Sequence, residues 1–270
     1  MTRSLSHLMF TAVAVTAIAL PSIAFADEPV DQGPLPEATA VRYPRAVIAR
    51  PLTLPSRVAV LGADAIANHD FGAMWGAPIL GTGITDELEV LVPYTFATRE
   101  LETKGSLAID VGYAFVRGAL GGKLEVVARA RSGYDFLTED RTAISFGVHA
   151  QYNLTDYLCI VSGVPGTQQL RIAPEDQMGR TPIDVSVPVG IGFQAMPTLY
   201  LQLDTKLAQL SISDSENLLF GRDTTPASLT VVWNAVHALD LQAAIGTDLS
   251  NDPGDAMTFL VGARYYAGRL

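Results

Sequence analysis

From Arg57 onward, apolar and polar residues alternate with a period of two. In residues 87–96, 183–193 and 199–207 the apolar side chains fall on one face and the polar side chains on the other. This period is typical of a β-strand between an apolar and a polar environment. The apolar faces extend over about ten residues, which is the length of a tilted strand that crosses a membrane. A β-sandwich also alternates, but the Gly, Ser, Asp, Lys and Gln of the polar faces favour the wet interior of a closed barrel.

The connections between these strands alternate between short and long. Tight turns are predicted near residues 84–87, 118–122, 154–157, 197–198 and 237–238. Longer polar stretches separate them, at residues 66–70, 98–104, 133–140, 166–181, 211–225 and 249–255. Short turns at one end and long loops at the other indicate a transmembrane barrel, with the short turns in the periplasm.

Counting along this alternation predicts an all-β, closed antiparallel transmembrane barrel of twelve strands. Ten or fourteen strands remain alternatives, because the alternation is weakest in the first strand. An even number would leave both termini on the periplasmic side. The predicted strands are 57–65, 71–84, 87–98, 105–117, 123–132, 141–153, 157–165, 182–195, 198–210, 226–236, 239–248 and 256–268.

Residues 1–26 are predicted to be a secretory signal peptide. Arg3 provides the positive charge, an apolar stretch runs from about Leu8 to Leu20, and Ala24 and Ala26 fit the small-x-small cleavage pattern. An uncleaved anchor is the alternative, but the apolar stretch is short for a membrane span. Cleavage would make the mature chain begin near Asp27.

Residues 27–56 form a Pro-rich extension before the barrel, which is predicted to be residues 57–270. Six prolines recur through the extension, so it cannot pair as a central strand and should be extended or polyproline-like. We expect it in the periplasm. A disordered linker and a segment that binds the cell wall or a periplasmic partner are the two alternatives.

Composition agrees with an exported barrel. Hydrophobic residues make up 49% of the chain and charged residues 17%, yet no second long apolar run follows the signal peptide. The net charge of −10 argues against nucleic acid as a partner. Cys159 is the only cysteine, so no intramolecular disulfide can form, and we expect it to be a small wall residue. Four aromatic residues near the short turns suggest an interfacial belt: Tyr152, Tyr157, Tyr200 and Trp233.

The polar faces define a candidate lumen. Its predicted acidic residues are Glu87, Glu89, Asp110, Glu125, Asp184, Asp204 and Asp240, and its basic residues are Lys123, Arg129, Arg131, Lys206 and Arg264. The neutral polar residues His149, Gln151, Gln194, Gln202 and Gln242 accompany them. Basic and acidic strands facing one another would filter solutes in a pore. The same side chains could instead pair and fill a narrow interior.

No catalytic or metal motif stands out, so neither an enzyme nor a cofactor is predicted. Ser145 and His149 share one strand face, but that face points to the lumen and no Gly-x-Ser-x-Gly elbow is present. The four histidines have no ligand spacing. The acidic stretches at 211–225 and 249–255 match no full calcium loop.

The last strand, 257–267, resembles the C-terminal recognition strand of outer-membrane barrels, although the chain ends at Leu270 rather than at an aromatic residue. More broadly, residues 57–270 resemble the porin-like and transporter-like outer-membrane β-barrel proteins of Gram-negative bacteria. The resemblance implies contact with outer-membrane lipid, insertion by the outer-membrane assembly machinery and passive passage of small polar solutes. The alternative is a structural or surface-interaction barrel with a plugged lumen and functional outer loops.

Overall fold

A computed structural model describes residues 43–70, 74–97, 105–162, 169–174, 181–211, 225–250 and 254–268. The predicted signal peptide, the first part of the extension, loop 98–104 and most of the loops 166–181 and 211–225 lie outside these residues. Apart from one 3-10 helix, Val47–Ala49, and a helical turn, Ala119–Gly122, the described chain is built of strands. These are β1 (Val58–Asn68), β2 (Met74–Gly83), β3 (Leu88–Ala97), β4 (Gly105–Gly118), β5 (Leu124–Asp135), β6 (Asp140–Arg141), β7 (Ile144–Asn153), β8 (Leu158–Val161), β9 (Leu170–Ile172), β10 (Ile183–Met196), β11 (Leu199–Ser211), β12 (Pro226–Val236), β13 (Leu239–Asp248) and β14 (Thr258–Gly268).

The strands form one closed antiparallel barrel. Sequence neighbours pair around the ring, and β1 pairs with β14 along its whole length, from Val58 opposite Gly268 to Asn68 opposite Thr258. The pairing of β5 with β7 completes the ring. The short strand β6 continues β7 along β5, and β8 and β9 together form one strand position, so the barrel has twelve positions. The prediction of twelve strands is confirmed, and the bounds of β12 and β13 are those predicted.

The seventh strand position is interrupted. Both β8 and β9 pair with β7 on one side and with β10 on the other. Gln151 of β7 lies opposite Val161, whereas Phe146 lies opposite Leu170. Five steps along β7 therefore correspond to nine steps along its partner, and four residues are additional. The predicted strand 157–165 followed by a long loop was incomplete, because the chain rejoins the sheet at Leu170.

The exposure of the strands identifies the two faces. Large apolar side chains such as Ile109, Ile191 and Leu203 are more than half exposed on the outside. Polar side chains such as Asp110, Arg129 and Gln202 are buried on the inside. This arrangement is the reverse of a soluble sandwich and fits a barrel wall surrounded by lipid. It confirms the predicted closed transmembrane barrel. Among the described residues, no helix is long and apolar enough to span a bilayer.

Two small apolar clusters lie inside the barrel near its short-turn end. The first joins Tyr43 and Leu54 to residues of β1 and to Tyr266. The second joins Ile48 to Cys159, Val161 and Tyr200. The placement of Tyr200 in an interfacial belt was therefore wrong: it is 4% exposed and its hydroxyl donates to Gln202 Oε1 at 2.8 Å. Tyr157 and Trp233 are exposed, in agreement with a belt.

Candidate solute pathway and its closed end

One ion pair joins the first and last strands on the inner wall. Arg264 of β14 donates to both carboxylate oxygens of Asp64 of β1, at 2.7 and 2.6 Å. Gln242 of β13 donates to the same carboxylate at 2.8 Å. Gly62 and Gly262 lie beside the pair, and a Cβ on either would collide with it. These glycines therefore leave room for the bidentate contact at the seam of the barrel.

A second set of charges lies nearer the short turns. Arg129 of β5 forms ion pairs with Glu89 of β3 and with Asp110 of β4. All three side chains are at most 6% exposed. Because the three strands are neighbours, the set runs along the wall. The structure places the side chains of Glu89, Asp110 and Arg129 together on the inner face.

Other predicted lumen residues lie farther toward the long-loop end. Asp184 of β10 forms an ion pair at 3.1 Å with Arg171 of β9, which was not among the predicted lumen residues. Asp204 accepts two hydrogen bonds from Gln202, at 2.8 and 2.9 Å. Arg131 and Lys206 also occupy inward positions, and neither forms an ion pair within the described residues.

Two of the predicted lumen residues lie at the rim instead. Glu87 precedes β3 and Lys123 precedes β5, and both are exposed in short turns. Arg117 Nη1 lies 3.9 Å from Glu87 Oε1, and Arg117 Nε lies 3.4 Å from Glu125 Oε1. The alternation of side chains fixes the face of a residue only within a strand, so it did not apply to these turn positions. His149 is inside the barrel and 2% exposed, as is Ser145 at 3%.

The short-turn end of the barrel is occupied by residues 43–56, the last part of the Pro-rich extension, which we call the mouth segment. Its contacts pass around the ring of strands. Thr53 donates to the backbone of Asp86, Ile48 contacts β7 and β10, Arg45 donates to Asn234 of β12, and Tyr43 packs on Tyr266 of β14. This part of the extension therefore packs against the barrel in this structure.

Acidic side chains hold the mouth segment by its backbone. Leu52 N donates to Glu125 at 3.1 Å, Leu54 N to Glu89 at 2.8 Å and Ser56 N to Asp86 at 2.9 Å. These donors alternate, as the extended geometry predicted from the prolines requires. The hydrogen bond from Ser56 is the main cause that lowers the pKa of the exposed Asp86 carboxyl below its ordinary value. Glu89 and Glu125, predicted as pathway residues, thus bind the segment.

Arg50 is the hub of the mouth segment. It forms an ion pair with Asp240 of β13 through two N–H groups, and it also donates to Pro44 O at 2.7 Å and Arg45 O at 3.0 Å. Its guanidinium lies over Tyr43 and Tyr266, 5.1 and 5.5 Å from the ring centres. Burial raises the pKa of Tyr43 to about 12, so this ring remains a neutral partner for the cation at pH 7.

Arg45, Arg50 and Asp64 are inner-wall or mouth residues that the sequence did not single out. Asp64 lies on the inward face of β1, the strand whose alternation is weakest. Asp64 lies two residues after Gly62 and therefore on the same face of β1, which could have indicated its inward position. Arg45 and Arg50 lie in the extension, whose docking depends on partners about 190 residues away.

The fold matches known membrane barrels. No family model and no curated protein matches the chain. The NanC porin is 9% identical, with a TM-score of 0.53 over 77% of this chain and 98% of that one. The KdgM porin in complex with disordered oligogalacturonate is 7% identical, with a TM-score of 0.53 over 76% and 98%. The fold is that of an outer-membrane porin. At these identities the likeness concerns the fold alone. The residues of the inner wall are those of this chain and are not inferred from the two porins.

Proposed function

We propose that the chain is a passive outer-membrane channel for small polar solutes. The observation that carries the proposal is the direction of the ion pairs on the inner wall. Arg264–Asp64, Arg129–Asp110, Arg129–Glu89 and Arg171–Asp184 each join strands that are adjacent or next but one. Pairs that lie along the wall line a polar interior, whereas a filled barrel would need pairs that cross it.

The structural neighbours support the same class of function. NanC and KdgM are named porins, and the KdgM complex contains an oligogalacturonate, a polar solute. The inner wall of the present barrel carries both signs of charge, which suits a solute with several polar groups. We therefore keep the proposal at the level of small polar solutes.

Planar-bilayer recording tests the proposal directly. Refolded protein should produce discrete conductance steps, with a reversal potential under a salt gradient that reports ion preference. A matched preparation that was heat-denatured before reconstitution should be silent. If folded protein, shown by a heat-modifiable gel band, stays silent across several salts, the channel proposal fails.

The second candidate is a structural or surface-interaction barrel with a closed interior. The mouth segment favours it, because residues 43–56 cover one end of the lumen. Under this alternative the loops 166–181 and 211–225 would carry the function. A silent bilayer together with impaired outer-membrane integrity in a strain whose protein lacks loop 211–225 would point to the loops rather than to a pore.

We further propose that both termini face the periplasm, that the outer-membrane assembly machinery inserts the barrel, and that it is not an enzyme. The even strand number and the grouping of short turns with the mouth segment at one end support the orientation. A cysteine introduced at Gly121 should resist an impermeant thiol reagent in intact cells, whereas one at Thr138 should react. The opposite result would reverse the orientation.

A further inference from the structure

We propose that the mouth segment, Tyr43–Ser56, is a displaceable plug that closes the short-turn end of the channel and is locked by Arg50 on Asp240. The proposal rests on the channel function proposed above and describes its regulation. A closed state would hold the segment as the structure shows it. An open state would release it from the mouth while the barrel stays intact.

The contacts of the segment allow release without unfolding. Apart from a single parallel bridge between Ser56 and Gly83, it takes no part in the sheet. Its backbone donors bind side chains of the wall, Glu125, Glu89 and Gln194, rather than backbone acceptors of a strand. After release, these groups would face the aqueous lumen and be hydrated, whereas a strand leaving the wall would expose backbone to lipid.

The geometry also gives the segment a hinge. Arg57, between the segment and β1, has a positive φ of 65°, and Val58 N donates to Pro55 O at 3.1 Å. The chain thus turns sharply where the barrel begins. Pro51 and Pro55, which precede the turn, have no backbone N–H and cannot donate to a neighbouring strand. A rotation at this turn would move the segment as one piece.

Arg50 locks the plug because it connects the two sides of the closed mouth. Four donor contacts join it to Asp240 of the wall and to the segment's own Pro44 and Arg45. The two tyrosine rings that flank it come from the segment and from β14. Removing Arg50 leaves a buried carboxylate without its counter-ion, which strongly disfavours the closed state.

Single-channel recording measures the release. Arg50→Ala should raise the fraction of time in the high-conductance level at least about tenfold, because one partner of a buried ion pair is lost. Arg50→Lys keeps the positive charge but cannot donate two parallel hydrogen bonds to Asp240, so its effect should be intermediate. Arg141→Ala is the matched control, since it removes an exposed arginine of β6 at the long-loop end and should leave the fraction unchanged.

Thiol labelling measures the plug independently of conductance. Ile48 is 4% exposed in the mouth, and Cys159 can first be replaced by alanine. In the Cys159→Ala background, Ile48→Cys should react slowly with a water-soluble maleimide. Adding Arg50→Ala should speed the reaction at least about tenfold, since the closed state is disfavoured. Adding Arg141→Ala should not speed it. A heat-modifiable band verifies that each variant is folded.

The two measurements separate the two proposals. Faster labelling and higher open occupancy together support the plug in a working channel. Wild-type conductance steps that Arg50→Ala leaves unchanged, with unchanged labelling, overturn the plug and leave the channel standing. Faster labelling in a protein that never conducts overturns the channel function and, with it, the role of the segment as a regulator.

Discussion

At one position in the barrel wall, a side chain takes the place of a peptide group. At the interruption between β8 and β9, Val148 of β7 has no backbone partner from the opposite strand among the residues that the structure describes. Gln169 fills this place: its Oε1 accepts from Val148 N at 2.8 Å and its Nε2 donates to Val148 O at 2.6 Å. Val148 itself points outward and is 47% exposed, so its backbone would otherwise face lipid.

Gln169→Met should destabilise the barrel, because methionine keeps the length of the side chain but removes both hydrogen bonds. We expect a loss of about 2 kcal/mol or more in the free energy of unfolding, the cost of unpaired backbone groups in an apolar setting. Urea unfolding in lipid vesicles measures it. Gln242→Met, which loses a contact in the wet lumen, should cost less. Equal losses of unfolding free energy in the two variants would show that the strand pairing at Val148 does not depend on Gln169.

Arg131 and Lys206 are the natural residues to set ion preference, because neither has an ion-pair partner within the described residues. Arg131→Gln and Lys206→Gln should each shift the reversal potential toward cation preference, since a fixed positive charge is lost from the pathway. Lys123→Gln at the rim is the control and should shift it less. If the rim variant has the larger effect, the narrow part of the pathway lies elsewhere.

The inner face was predictable from the alternation wherever a residue lies inside a strand. Asp110, Arg129, Asp204 and Arg264 all face inward for this reason. The failures have local causes. Tyr200 lies near a short turn, as belt residues do, but its even position in β11 points it inward toward Cys159 and Gln202. Position relative to a turn is thus weaker evidence than parity within the strand.

At the scale of the element, the mouth segment shows where sequence reasoning ended. The described part of the extension forms no central strand, and its one regular element is the 3-10 helix Val47–Ala49. The place where the segment docks could not be predicted, because Arg50 contacts Asp240 and Arg45 contacts Asn234 only after the barrel has closed. Such contacts have no local periodicity. Four donors on a single arginine, satisfied across the whole chain, became visible only in the structure.

The attachment of this element should depend on acid pH through Asp86. Its pKa is lower in the folded protein than in the unfolded chain, mainly because Ser56 N donates to it. A carboxyl group of this kind stabilises the fold above its unfolded pKa of about 3.9, and the contribution is lost as the pH falls through the folded pKa. Asp86→Asn should therefore lower the unfolding free energy more at pH 7 than at acid pH below the unfolded pKa.

Unfolding of the wild type and of Asp86→Asn across this pH range measures the difference. Because Asp86 is exposed, the effect should be small, and it should shrink steadily below about pH 4. Asp140→Asn, which changes an exposed aspartate at the long-loop end, serves as the control for the change of charge. A difference that instead grows toward low pH would contradict the assigned hydrogen bond.

For the molecule as a whole, the arrangement of the barrel follows from its two environments, lipid outside and water inside. Lipid requires the apolar side chains to face outward and the backbone to pair completely, and water inside permits the charges. This is why the pattern alone predicted twelve strand positions, and why the closure of β1 on β14 needed no special motif. The interruption between β8 and β9 could not be predicted from the pattern, because the side chain of Gln169 replaces the backbone pairing there.

The two solvents make opposite demands on neighbouring residues, which gives the most direct test of the whole architecture. Leu203 faces outward near the middle of β11 and is 56% exposed, whereas Thr230 of β12 lies on the inward face. Leu203→Arg should lower the unfolding free energy in vesicles by about 2–4 kcal/mol, the range for a charge near the bilayer midplane. Thr230→Arg should be tolerated, because the lumen hydrates it, and should change conductance instead. If Thr230→Arg is the more damaging of the two, the inner and outer faces are reversed or the interior is dry.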